Sequence, residues 1–286
     1  MAVAETLGPR ARAVADRDAL AAFLRTDRRY AAYALGDLDG PNRSRVAWGM
    51  AYDGTGQPLA LGMHHEGLVP QPLFLMGDPD GCRAILADVL RPRDAYFQAT
   101  PTLETSMREQ YELDAPLAML RMVVDGDAFR PFAGPAERLG PADTEDLNRL
   151  YQLGFRTGFP PSIFDEGIYY GVRVRGRLVS AAGTHALNAR EQIAVVGNVM
   201  THADFRGHDF AKMVTSAVTA ELLARVEDVV LNVHADNAPA IAAYDRLGYV
   251  THCQLVERLG RRRSGGWSLM RPIREAIRLT WPREPR

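Results

Sequence analysis

The segment Asp204-Phe205-Arg206-Gly207-His208-Asp209-Phe210-Ala211 lies between an apolar strand-like stretch, Gln192–Met200, and a helical pattern. A strand that passes through a tight turn into a helix is a natural place for a phosphate. The first-turn N–H groups lack intrahelical partners, and the helix dipole favours negative charge beside them. Arg206 adds a guanidinium that can brace the turn or touch the anion. A second constellation follows a second strand-like run, Val229–Val233: Asn237 and Tyr244 stand seven residues apart ahead of Gly248-Tyr249. Seven residues make two helical turns, so both side chains fall on one face. Asn237, with Pro239 just behind it, reads as an N-cap. Tyr244 can hold a proton for chemistry or pack with its hydroxyl bonded.

The elements that must position these residues occur twice. Amphipathic helices open at Ala15-Asp16-Arg17-Asp18 and at Ala142-Asp143-Thr144-Glu145, each with an aspartate placed to cap. Two hairpin-like pairs follow, Arg45–Tyr52 with Pro58–His64 and Ile168–Val174 with Arg177–His185. They share their glycine spacing and end in Gly62-Met63-His64 and Gly183-Thr184-His185. Each pair leads to an apolar strand (Pro72–Met76, Ile193–Met200), a turn, a helix, a further strand (Ala95–Ala99, Val229–Val233), a helix and a final strand (Leu117–Val124, Val250–Leu259). This is an internal duplication of one α/β unit with a mixed sheet. The composition break at Asp125-Gly126-Asp127 to Gly134-Pro135 divides it into residues 1–127 and 128–286. In the first half the turn reads Gly77-Asp78-Pro79-Asp80-Gly81; two carboxylates, no arginine and a proline without an N–H make a poor anion site. In the second half, Gly260–Gly266 reads as a hairpin loop with Arg261-Arg262-Arg263 at its tip, Trp267–Met270 as a last strand and Ile273–Thr280 as a short helix.

The order of turn, strand and Asn-to-Tyr helix resembles the GNAT superfamily of N-acetyltransferases. The family's phosphate turn, Arg/Gln-x-x-Gly-x-Gly/Ala, is matched at Arg206 and Ala211, and its later motif at Asn237, Tyr244, Gly248 and Tyr249. The family's central glycine is Asp209 here, with Gly207 two positions earlier. Aspartate enters left-handed backbone space more readily than most residues, but its carboxylate would lie close to a pyrophosphate and should weaken binding unless it points away. The resemblance is specific over roughly Gly171–Arg271 and topological over the first half. It implies an α/β (α+β mixed sheet) fold, two tandem GNAT-like acyl-CoA N-acyltransferase domains and a degenerate first copy.

The resemblance also implies a site. Turn amides at Arg206, Gly207, His208, Asp209, Phe210 and Ala211 would take the pyrophosphate of acetyl-CoA. The strand at Val199-Met200 would supply oxyanion donors, Asn237 would contact the cofactor, and Tyr244 would return a proton to the thiolate. His185 is the candidate general base, since its ordinary pKa suits proton removal near neutrality, although His64 in the first half points to a structural role for both. Asn198 is a candidate for positioning a water or the amine. Asp165 and Glu166 lie in the Pro160–Gly167 loop, where the family shapes its acceptor site. His202 and His208 flank the turn without metal-ligand spacing, so no metal is expected.

Composition narrows the partners. The formal net charge is −1, so nothing global points to nucleic acid or a membrane surface. The arginines and lysines together number 34, yet Lys212 is the sole lysine. Cys82 and Cys253 fit no disulfide framework. Without a signal-type or membrane-length apolar run, a cytoplasmic chain is expected. The expected activity is transfer of acetyl from acetyl-CoA to a primary amine, on a small molecule or peptide N-terminus, with homodimerisation open. The alternatives are a catalytically silent acyl-CoA-binding or sensing module and a tandem aminoacyl-transferring enzyme that uses charged tRNA.

Overall fold

The computed structural model describes residues 8–40, 43–152 and 158–263. They form two compact units interleaved along the chain. The first unit takes the described residues through Arg121, then His234–Asp236 and Thr251–Arg263; the second takes the described residues of Met122–Val233 and Asn237–Val250.

The first unit runs β1 (Arg10–Ala13), α1 (Arg17–Leu24), α2 (Ala32–Asp39), β2 (Val46–Tyr52), β3 (Pro58–His65), β4 (Pro72–Gly77), α3 (Pro79–Asp88), β5 (Asp94–Ala99), α4 (Glu104–Gln110) and β6 (Tyr111–Leu113). Asp16 caps α1 as its sequence position predicts, accepting hydrogen bonds from the N–H groups of Asp18 and Ala19 at 2.9 and 3.2 Å. Strands β1 to β4 are antiparallel neighbours, and β4 pairs with β5 in parallel. Helix α3 buries Cys82, Ile85 and Leu86 in a core with Leu73, Leu75, Phe97, Met107 and Tyr111. Burying a phenylalanine as fully as Phe97 contributes about 3–5 kcal/mol relative to alanine.

The chain passes through β7 (Leu117–Asp125) into the second unit. Here follow β8 (Glu137–Arg138), α5 (Thr144–Tyr151), α6 (Ile163–Glu166), β9 (Tyr169–Val174), β10 (Arg177–Asn188), β11 (Ile193–Thr201), α7 (Phe210–Leu223), β12 (Asp228–His234), α8 (Ala238–Arg246) and β13 (Val250–Arg262). The sheet order is β8-β9-β10-β11-β12, with β7 beside β12. Only β11 and β12 are parallel within β8–β12, as expected for strands joined by a helical crossover.

Three sequence expectations need correction. The final strand of the second half, β13, joins the first unit's sheet, pairing Val256–Arg261 antiparallel with β5. The first unit's sheet thus takes a strand from the second half of the sequence; an apolar strand satisfies either edge equally well, so composition does not reveal this. Gly260–Arg262 are strand residues paired with β6, not a hairpin loop. Arg261 is therefore partly covered and meets Asp94 at 3.4 Å, and Arg262 donates to the carbonyl of Leu86 at 2.8 Å. The loop carrying Asp165 and Glu166 holds the short helix α6. The expected strand Trp267–Met270 and helix Ile273–Thr280 lie outside the described residues.

Candidate functional site: the turn ahead of the long helix

β11 and β12 pair only over Ile193–Val196 and Asp228–Leu231. Beyond that point the ladder stops, so among the described residues Gly197–Thr201 has no strand on its β12 edge. The cause lies in β11 itself, where Asn198 adopts a left-handed conformation (φ 55°) and its partner β10 carries bulges on either side of Gly183-Thr184. A bulge bends its strand and re-aims the backbone. Two buried tyrosines hold the bend. Tyr151 of α5 donates its hydroxyl to the Asn198 carbonyl, and the Asn198 amide donates to the Tyr169 hydroxyl at 3.0 Å. The Tyr169 ring occupies the space that a side chain on Gly183 would fill. Burial pushes the Tyr169 phenol up to about 12, so both groups stay neutral hydrogen-bonding partners. Asn198 is thus engaged by Tyr169 and holds the bend, a role the sequence does not announce. Val199 and Met200 lie directly after it on the strand section without a β12 neighbour. Met200 pairs with Ala181 and packs on the core around Tyr151 and Leu178.

After β11 the chain makes a single 3-10 turn, then Gly207 (φ 79°) and Asp209 (φ 60°) take left-handed backbone. Alternation of this kind points successive N–H groups into one concavity. Among the described residues, the N–H groups of Gly207, His208, Asp209, Phe210 and Ala211 meet no acceptor. Arg206 is exposed here, and His208 turns its Nδ1 to the Arg206 carbonyl (2.9 Å) and stacks on Phe210 (5.7 Å between centroids). Asp209 stands at the N-cap of α7, yet its side chain makes no capping bond. Its carboxylate is held instead by the ammonium of Lys212, 2.9 Å away. Lys212 stands out in the sequence as the sole lysine, but nothing there ties it to the turn.

Asn237 is the N-cap of α8, its Oδ1 accepting from the Ala240 N–H at 3.2 Å. Tyr244 lies on the buried face of that helix and is 6% exposed. Its hydroxyl has no hydrogen-bond partner among the described residues, whereas neighbouring Tyr249 bonds Thr219 at 2.7 Å. Burial pushes the Tyr244 phenol up to about 12, so it carries its proton throughout the physiological range. His185 is exposed at the second bulge of β10 and lies over Gly197, where a side chain would meet its Cβ at 3.0 Å. His202 bonds the Asp204 N–H at 3.3 Å. Among the described residues there is no cluster of His, Cys, Asp or Glu able to hold a metal, and no helix long and apolar enough to cross a membrane.

Residues 169–257 match the family model described as FR47-like protein. Among solved structures, the chain is similar to a GCN5-related N-acetyltransferase from Kribbella flavida, with 18% identity, 73% of this chain and 88% of that chain covered, and a TM-score of 0.53. It is similar to another from Sphaerobacter thermophilus, at 17% identity, 91% and 97% coverage and a TM-score of 0.54. A tandem GNAT protein from the clavulanic acid biosynthesis pathway matches at 13% identity, with 90% and 100% coverage and a TM-score of 0.53. No curated protein matches the chain. At such identities the likeness speaks to fold, and it agrees with the duplication read in the sequence. The chain has the GNAT fold in tandem copies, and the segment that matches the FR47-like family model falls within the second.

Proposed function

We propose that the chain is an acyl-CoA-dependent N-acyltransferase that moves acetyl from acetyl-CoA to a primary amine by direct attack. The observation that carries this reading is the run of unpaired amides from Gly207 to Ala211, set ahead of α7 and cleared of the one carboxylate that would block it. These amides and Arg206 bind the pyrophosphate. Val199 and Met200 offer backbone donors to the developing oxyanion, on the strand section that lacks a β12 partner. The amine nitrogen attacks the thioester carbonyl, the C–S bond breaks, and Tyr244 gives its proton to the departing sulfur. His185 takes the proton that the amine loses. Asn237 shapes the start of α8 and contacts the cofactor. Function divides near residue 127: the first copy contributes scaffold, the second the reacting groups. The acceptor is a small amine or a peptide N-terminus, and the setting is cytoplasmic.

The test is release of free thiol from acetyl-CoA against a panel of amines, amino acids and peptides. Turnover with one acceptor class, lost in Tyr244→Phe, is the expected result. Micromolar acetyl-CoA binding with no turnover on any acceptor favours the silent sensing module instead.

A further inference from the structure

Lys212 is placed where a lysine is costly. It sits in the first turn of α7, at the positive end of the helix dipole, and is only 5% exposed. Two contacts offset the cost. One is the 2.9 Å ion pair with Asp209; the other is the Phe132 ring, whose centroid lies 3.8 Å from Nζ. Phe132 is itself fixed to α7, its N–H donating to the Ser216 hydroxyl at 2.8 Å. The cation is thus locked on one side by an aromatic face and on the other by the carboxylate of the phosphate turn. Asp209, in contrast, is half exposed and could otherwise swing onto the open amides of its own turn, as an N-cap aspartate normally does.

We propose that Lys212 is a positioning residue that keeps the Asp209 carboxylate out of the anion site, so that a turn with aspartate in place of glycine still accepts an acyl-CoA pyrophosphate. This rests on the proposed acyl-CoA reading. The pair neutralises the turn and leaves the amides to the ligand. Without the ammonium, the carboxylate caps α7 and competes with phosphate by charge and by occupancy.

The experiment is calorimetric titration of the full chain with acetyl-CoA for the wild type, Lys212→Met, Asp209→Asn and the double variant. Lys212→Met should bind about tenfold more weakly or worse, as expected for a carboxylate brought against the phosphates. Asp209→Asn should bind at least as tightly as the wild type, and the double variant should match Asp209→Asn. This recovery separates positioning from simple attraction of phosphate by Lys212, which neutralising Asp209 would not restore. If Lys212→Met does not fold, the double variant, which removes both charges of the buried pair together, is compared with Asp209→Asn. Wild-type affinity in Lys212→Met, or a double variant well below Asp209→Asn, overturns the inference while leaving the acyl-CoA reading intact. No binding by the wild type overturns both.

Discussion

In the first copy Asp78 caps α3 and folds its carboxylate over the helix start, accepting the N–H groups of Asp80 and Gly81, each at 2.9 Å. In the second copy Asp209 holds the same place before α7 but has left-handed backbone and gives its carboxylate to Lys212. Three residues beyond the cap stands Gly81 in one copy and Lys212 in the other. The first helix start is filled by its own chain; the second remains open. The histidines diverge in parallel. His64 is buried in a regular ladder, bonded to Gln71 at 3.2 Å and held below its usual pKa chiefly by desolvation. His185 stands exposed at a bulge over Gly197. Equivalent residue types therefore serve the fold in one copy and face an open edge in the other. The difference lies in local backbone, not composition.

The comparison can be broken most forcefully at Tyr244. Tyr244→Phe should lower kcat by roughly 100-fold, the scale of a lost general acid, while leaving acetyl-CoA affinity near wild type. Equal loss of affinity would mean that the ring merely packs. Next in size, His185→Ala should reduce kcat/KM by about tenfold or more with little change in melting temperature. Its counterpart His64→Ala should spare turnover and cost about 1–2 kcal/mol in denaturant unfolding. Reversal of that pattern would assign the chemistry to the wrong histidine. Smaller still, Asp78→Ala should cost about 1 kcal/mol of stability by removing a cap, without altering acetyl-CoA binding. Finally, the pH profile sharpens the Tyr244 assignment. A phenol raised to about 12 is protonated below that value, so proton donation is retained up to it and lost above it. A rate profile from pH 6 to 10 should therefore show no limb from tyrosine.

Much of this architecture is legible in the residues. Glycine spacing, the capping Asp16 and strand patterning identify the duplication, and Asn237 is read correctly as the N-cap of the helix that carries Tyr244, whereas Asp143 makes no capping bond to α5 and accepts from the Gly140 N–H instead. What escapes is long-range. Nothing in the composition of Val250–Arg262 says that it joins the first unit's sheet, because an apolar strand has two competent edges. The splay of β11 was equally hidden, since it depends on Tyr151 and Tyr169 reaching Asn198 across 47 and 29 residues. The Asp209 side chain could not be aimed from sequence, as its direction follows from Lys212 and from Phe132, 80 residues apart.

The most direct test of the central claim is the stoichiometry of acetyl-CoA binding to the full chain, measured by calorimetry beside His208→Asp. That exposed substitution gives the open turn a carboxylate of its own, as in the first copy. One acetyl-CoA per chain, with affinity lost in His208→Asp, is the expected result. Two per chain, or one that His208→Asp leaves untouched, would contradict the assignment of the cofactor to the turn before α7.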